Sequence, residues 1–410
     1  SKLGLANAHW CLLHAYYMKG DYGLALESYR KAADLYTAVN SSMGLGDVYW
    51  PAGNIYRLRK ETAKARELYE KALDAYAKAD YVSGRGQVYL SMGDLCADTG
   101  DEEQALQFYE RAHDLFEKSL NIDSRAYALL RKAPLIAKKG LTEEAASLYE
   151  QAMSLLEKVR RQTGLPEMKK TYMEKVYGDY ENAAIFMIEN RFREKAFRYA
   201  ESMNARVFLD QLAEGLVDLE KGINPDLKKR RDGIEQEMSL IVNRIQKTGK
   251  DQADSGAAIK NLLKRHRELE NSLGEVRRLI RLKNPLYSFV QYPEPITVGE
   301  LQNSVLRQDE IVFEYFLSKS GVYCFVIGKD TYEIVRLDTS VNELERDIHL
   351  LTGGMNSASE VQRQIARKSR FPRTQAVKLY ETLLKPVEKY AGGKTVIIVP
   401  HGALSLLPFE

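Results

Sequence analysis

The chain has 410 residues and a mass of 46.7 kDa, enough for two or three domains with a sizeable core. Its 60 Lys and Arg stand against 57 Asp and Glu, a formal charge of only +3, so no global field argues for nucleic acid or a membrane surface as partner. No apolar run approaches the about 20 residues of a membrane helix, and no signal peptide precedes the first helical pattern. The three scattered cysteines, Cys11, Cys96 and Cys324, give no disulfide framework and fit a reducing, cytoplasmic compartment. The opening residues already lie inside a helical pattern, which reads as part of a longer chain.

The first 160 residues are a repeat. Segments 25–32, 65–72, 105–112 and 145–152 superpose residue on residue at a spacing of 40, with Tyr29, Tyr69, Tyr109 and Tyr149 in one register. Self-similarity at such a period predicts stacked helical hairpins, because one repeat cannot bury its apolar face alone. A first-helix pattern precedes each block: Tyr49-x2-Ala52-Gly53-x2-Tyr56, then Tyr89-x2-Met92-Gly93-x2-Cys96. Bulky and small residues at this spacing, followed by Ala-x3-Tyr-x2-Ala, resemble the tetratricopeptide signature; the period of 40 keeps a HEAT-type array as the alternative. Repeats are expected from about Ala6, Gly46, Gly86 and Ala126, with helix stops at Gly20, Gly100 and Gly140. Pro51 and Pro134 fall inside first helices and are expected to bend them. Cys11 and Cys96 occupy core-like slots.

By register, Trp10, His14 and Tyr17, then Trp50, Asn54 and Arg57, face the concave side of a right-handed superhelix, with Asn7, Asp47, Gln87, Leu90, Asp94 and Asp98 alongside. Two readings stand for this face: structural packing of the two tryptophans, or a groove with aromatic anchors and polar hooks for a protein or peptide partner. After an inserted loop at 160–168, a divergent fifth repeat is expected around Ala196, ending the solenoid at about residue 215. Residues 223–283 then show one apolar stripe in a charged background, broken at 247–257, which predicts a protruding antiparallel helical hairpin. Its basic clusters, around Lys228–Arg231 and Arg277–Arg281, lack interleaved aromatics and read as solvated faces, not a nucleic-acid site.

From residue 286 to 410 the composition turns to β-branched and aromatic runs. Strands are expected at 310–317, 322–327, 332–337 and 394–399, and helices at 341–351 and 373–390. Here Glu201-Ser202-x2-Ala205-Arg206-x2-Leu209-Asp210, Glu314-Tyr315-Phe316, and Val396-Ile397-Ile398-Val399-Pro400-x-Gly402-x-Leu404-x2-Leu407-Pro408-Phe409-Glu410 resemble CHAT proteins, caspase-like cysteine peptidases fused behind tetratricopeptide repeats. His401 stands where that family more often has Asp. The resemblance implies a catalytic histidine and cysteine on later strands of the same sheet, so no catalytic residue is assigned within these 410. Cys324, inside a strand, reads as structural, and no metal-ligand spacing, phosphate loop or cofactor motif offers other chemistry. The expected fold is thus mainly α: a tetratricopeptide solenoid (1–215), a helical hairpin (223–283), and the start of an α/β caspase-like domain (286–410). Two functions follow, an adaptor arm controlling a peptidase, or a non-catalytic scaffold for protein assembly.

Overall fold

The computed structural model describes residues 1–162, 166–214, 224–248, 255–283, 296–353, 372–407 and 409. Outside that set lie the centre of the inserted loop, the polar loop between the last helices, and Pro408 and Glu410 of the terminal motif; the side chains of Ala205, Arg206, Leu209 and Asp210 are not described either. The chain packs as two compact units, residues 1–169 with 218–288, and 170–217 with 289–410.

The first unit opens with four hairpins: α1 (Lys2–Lys19) and α2 (Tyr22–Ala38), α3 (Ser42–Leu58) and α4 (Thr62–Lys78), α5 (Val82–Asp98) and α6 (Glu102–Lys118), α7 (Ile122–Lys138) and α8 (Thr142–Gln162). A half-period lies beneath the period of 40. Gly20, Asn40, Lys60, Asp80, Gly100, Leu120 and Gly140 all take left-handed backbone. At each, the next N–H returns to a carbonyl of the helix just ended, as Asp21 does to Tyr16, Glu61 to Tyr56 and Asn121 to Phe116. This closure satisfies carbonyls the helix leaves open, and the left-handed residue makes it possible. Glycine marks only three of the seven turns; α3 and α7 run through Pro51 and Pro134 without interruption.

In the α3–α4 and α5–α6 hairpins, aromatic rings of the second helix lie on glycines of the first. A Cβ built on Gly46 would meet the Tyr76 ring at 2.4 Å, and one on Gly86 the Phe116 ring at 2.6 Å. The bare glycine backbone lets two helices approach across a flat ring. Phe116, Tyr69 and Tyr76 are thereby fully buried.

Two further helices, α11 (Pro225–Thr248) and α12 (Ser255–Lys283), form the expected hairpin, tied by Arg265 to Glu237 at 2.8 Å and Arg277 to Glu235 at 3.0 Å. It does not stand clear of the repeats, which corrects the expectation of a protruding element. Leu120 at the α6–α7 turn packs on its core of Met238, Ile241, Ile245, Leu269 and Leu273, and Lys158 of α8 pairs with Glu270. A leucine in left-handed backbone costs about 1–2 kcal/mol, which this packing offsets.

In the second unit, α9 (Pro166–Glu189) and α10 (Arg193–Glu214) keep the repeat's turn: Arg191 is left-handed, and Phe192 N–H bonds the Met187 carbonyl. Read from sequence as a fifth repeat, these helices instead belong with the sheet. The strands β1 (Glu310–Ser318), β2 (Gly321–Gly328), β3 (Thr331–Leu337) and β4 (Thr395–Val399) run in the order β3-β2-β1-β4. The first three form an antiparallel meander, Tyr315 opposite Cys324 and Cys324 opposite Val335, and β4 returns parallel to β1 with Phe313 opposite Ile398. Between β3 and β4 come α13 (Val341–Thr352), opened by a Ser340–Glu343 capping box, then α14 (Arg373–Leu383) and α15 (Lys385–Glu388). The single helix expected at 373–390 divides at Leu384, ahead of Pro386, which has no N–H to continue the helical bonding and sits in the first turn of α15, where that lack costs nothing.

These three helices cover one face of the sheet, where Leu344, Ile348, Leu379, Leu383 and Val387 meet Phe313, Tyr315 and Cys324. The other face meets α9 and α10: the Phe197 ring lies edge-on to Phe325 at 5.7 Å, the Tyr332 hydroxyl donates to the Arg193 carbonyl at 2.6 Å, and Lys319 N–H donates to Glu181 at 2.6 Å. Coverage on both faces explains why β1 and β2 are buried almost throughout and read as continuous apolar runs. No strand precedes residue 285 among the described residues.

Candidate partner-binding face

The first helices α3, α5 and α7 are stitched to one another by polar side chains about one repeat apart. Trp50 Nε1 donates to Ser91 Oγ at 2.8 Å, Arg57 Nη1 to Asp98 at 2.8 Å, Gln87 to Ser124 at 2.6 Å, and Arg131 Nε pairs with Asp94 at 3.3 Å. From beneath, second-helix tyrosines hold the same row: Tyr36 donates to Asn7, Tyr69 to Asn54 and Tyr76 to Asp47, the last at 2.9 Å. Tyr109 repeats the Tyr69 bond on Asp94 at 3.0 Å. Each hydroxyl therefore fixes the rotamer of a first-helix acceptor without removing it from the surface.

All six residues read from the sequence as binding residues are half-buried. Trp10 and His14 meet edge to face at 5.0 Å. Burial holds the His14 imidazole below its ordinary pKa, against the opposing pull of Asp47. Burial also raises the Tyr17 phenol, with Tyr22 adding to it and Arg57 opposing, so Tyr17 and Arg57 share one electrostatic neighbourhood. Arg57 further approaches Asp94 at 3.8 Å. Trp50 and Asn54 are held by Ser91 and Tyr69.

The two tryptophans are not equivalent. Ser91, the partner of Trp50, corresponds forty residues earlier to Pro51, which offers no side-chain acceptor; the Trp10 Nε1 is buried and has no partner among the described residues. Arg131 was missed in the sequence, although the period of 40 from Ser91 reaches it. Cys96 lies in the core as expected, whereas Cys11 is exposed. Its counterparts Pro51 and Ser91 are buried, Ser91 under the Trp50 indole of the repeat before it, and no repeat before α1 is among the described residues.

In the sheet unit the Cys324 thiol is sealed in the interior and pushed well up, chiefly by burial and then by Glu314. His401 Nδ1 accepts the Leu317 N–H at 2.9 Å, its Nε2 lies 3.1 Å from the Tyr177 hydroxyl, and its ring stacks on Phe316 at 5.8 Å. Both ring nitrogens are therefore engaged, and the imidazole is a fastening between α9, β1 and the end of β4 rather than a free base.

A second unusual group is a pair of carboxyls. Glu201 of α10 hydrogen-bonds Glu314 of β1, which is 3% exposed. A carboxyl–carboxyl bond needs one proton shared by the pair; burial raises the Glu201 pKa, and the bond to Glu314 opposes that rise. A carboxyl whose folded pKa is raised contributes stability below its ordinary range and loses it as pH rises through the raised value. The contribution of this pair to the melting temperature should therefore fall with rising pH, and Glu201→Gln, which keeps a donor without titrating, should remove that component from the pH profile; a profile identical to the wild type would refute the shared proton.

The SNAP family, soluble NSF attachment protein, matches residues 14–178. No curated protein sequence matches the chain. Among solved structures, it is similar to that of PilF of Pseudomonas aeruginosa, 15% identical with a TM-score of 0.37, covering 71% of this chain and 98% of that one. It is also similar to YrrB, a TPR protein with an unusual peptide-binding site, 20% identical with a TM-score of 0.30, covering 51% and 91%. The helical array is of tetratricopeptide type. No helix among the described residues is long and apolar enough to cross a membrane.

Proposed function

We propose that the array is the partner-binding arm of a caspase-like cysteine peptidase of the CHAT type, holding a protein or peptide along the face of α1, α3, α5 and α7 and controlling the peptidase. The observation that carries the binding half is the strip of half-exposed aromatic and charged side chains from Trp10 to Arg131, pre-set by tyrosines below it. Pre-set side chains lose little rotamer entropy when a partner docks. The peptidase half is supported by the terminal motif and by β4, an edge strand whose Ile397 is 38% exposed; its open edge would receive the next strand of such a sheet, on which catalytic residues would lie. A scaffold without catalysis is the second reading, favoured by the engagement of both His401 nitrogens.

The test pairs binding with cleavage. Partners captured from a peptide library by the intact chain should be lost, roughly tenfold or more in affinity, in Trp50→Ala and Arg57→Gln. Arg57→Gln also loses the ion pair to Asp94, and Trp50→Ala loses packing on the Tyr69 and Tyr76 core beside its bond to Ser91, so thermal unfolding is recorded with binding and the loss of affinity is read on variants that remain folded. Equal binding by both variants would defeat the groove. Partner-dependent proteolysis by a carboxyl-extended form, insensitive to Cys324→Ala, would favour the peptidase; partner binding without proteolysis would favour the scaffold.

A further inference from the structure

Helix α1 has no charged residue between Lys2 and Lys19. One side buries Ala6 and Leu13 against its own hairpin partner, and Trp10, His14 and Tyr17 belong to the binding row. The remaining side is a stripe of Leu5, Ala8, Leu12 and Ala15, all exposed, with Leu5 at 52% and Leu12 at 41%. A helix apolar on every side is one that is covered, and an array end that faces water carries a polar outer surface.

The chain itself records what covers this stripe. Forty residues on, Val48, Ala52 and Ile55 are 0% exposed and lie in one cluster with Ala25, Leu26, Ala32, Ala33 and Tyr36 of α2. Eighty on, Val88, Met92 and Leu95 are buried with Ala65, Tyr69, Ala72 and Tyr76 of α4. In both cases the cover is the second helix of the preceding hairpin, with small residues where the backbones approach and an aromatic at its carboxyl end. A second copy cannot offer α2 or α4 for this purpose, because each is already engaged by its own following helix.

We propose that the Leu5–Ala8–Leu12–Ala15 stripe is a docking face for one more helical hairpin of this chain's own type, stacked on α1 as α2 stacks on α3. The surface is separate from the binding row and does not depend on what that row holds. Its occupant is identified by chemistry: a helix with small residues at the Ala25 and Ala32 positions and a ring at the Tyr36 position, as α4 has in Ala65, Ala72 and Tyr76.

The test places residues 42–80 a second time ahead of Ser1, so that Ser1 takes the place of Tyr81 and the register of 40 is kept. The fused chain should melt roughly 5 °C or more above the original. Ala8→Arg should leave the original chain's melting unchanged, since Ala8 faces water there, and should abolish the gain in the fused chain, where its counterparts are Val48 and Val88. Sedimentation of the unfused chain completes the experiment. A fused chain that melts no higher overturns the proposal, as does an unfused chain that dimerises and is returned to monomer by Ala8→Arg, which would make a second copy the occupant.

Discussion

Gly93→Val should cost the repeat unit at least about 3 kcal/mol, one of the largest losses available to a single substitution in it. A Cβ at position 93 would stand 2.4 Å from the Tyr109 ring, well inside any contact distance. The ring cannot swing away: it is 2% exposed, and its hydroxyl is held by Asp94 at 3.0 Å. Relief has to come from separating α5 and α6, which opens space along the whole hairpin. Gly274→Ala on α12 is the matched control, since nothing lies within 4 Å of its Cβ and an open helical glycine gives up about 1 kcal/mol of propensity. Urea unfolding of both variants should move in opposite directions. If Gly93→Val unfolds with the wild type, the ring-on-glycine contact does not set the spacing of the hairpin.

The same contact shows why the period was legible and the half-period was not. Alanine, glycine and tyrosine recur at 40 because close helix approach admits few alternatives at those positions. The turns recur at 20, but left-handed backbone is reachable by Asn40, Lys60, Asp80 and Leu120 at modest cost, so only Gly20, Gly100 and Gly140 announced themselves. Leu120 shows what a non-glycine choice can add, because its side chain seats the α11–α12 hairpin.

Helices α9 and α10 were legible as helices but not as to their partner. An apolar stripe that covers a sheet has the same spacing as one that covers another hairpin, and the repeat's turn at Arg191 is kept in both settings. The binding row was legible in register; its hydrogen bonds were not, since Tyr36, Tyr69 and Tyr76 reach it from the helices beneath. Cys11 misled because position within a repeat predicts burial only where the neighbouring repeat is among the described residues.

His401 supplies the second large effect. Its Nδ1 accepts a backbone N–H, which places the neutral ring's proton on Nε2, where it donates to the Tyr177 hydroxyl. Protonation would put a second proton on Nδ1, facing the Leu317 N–H, so the charged form has to break the bond or the packing around it. Burial against Phe316 adds the cost of desolvation and holds the imidazole down at about 4. A histidine with a depressed folded pKa contributes its stability above the unfolded value of about 6.5 and loses it as pH falls toward 4. The loss is at most about 3 kcal/mol and is complete only below pH 4. His401→Asn keeps an acceptor for Leu317 and does not titrate, so it should unfold with a flatter acid limb than the wild type while starting lower at pH 7. His401→Lys, with a permanent charge and no acceptor, should destabilise the sheet unit at every pH. Equal acid slopes in the wild type and His401→Asn would remove His401 as the group that fastens α9 to the sheet.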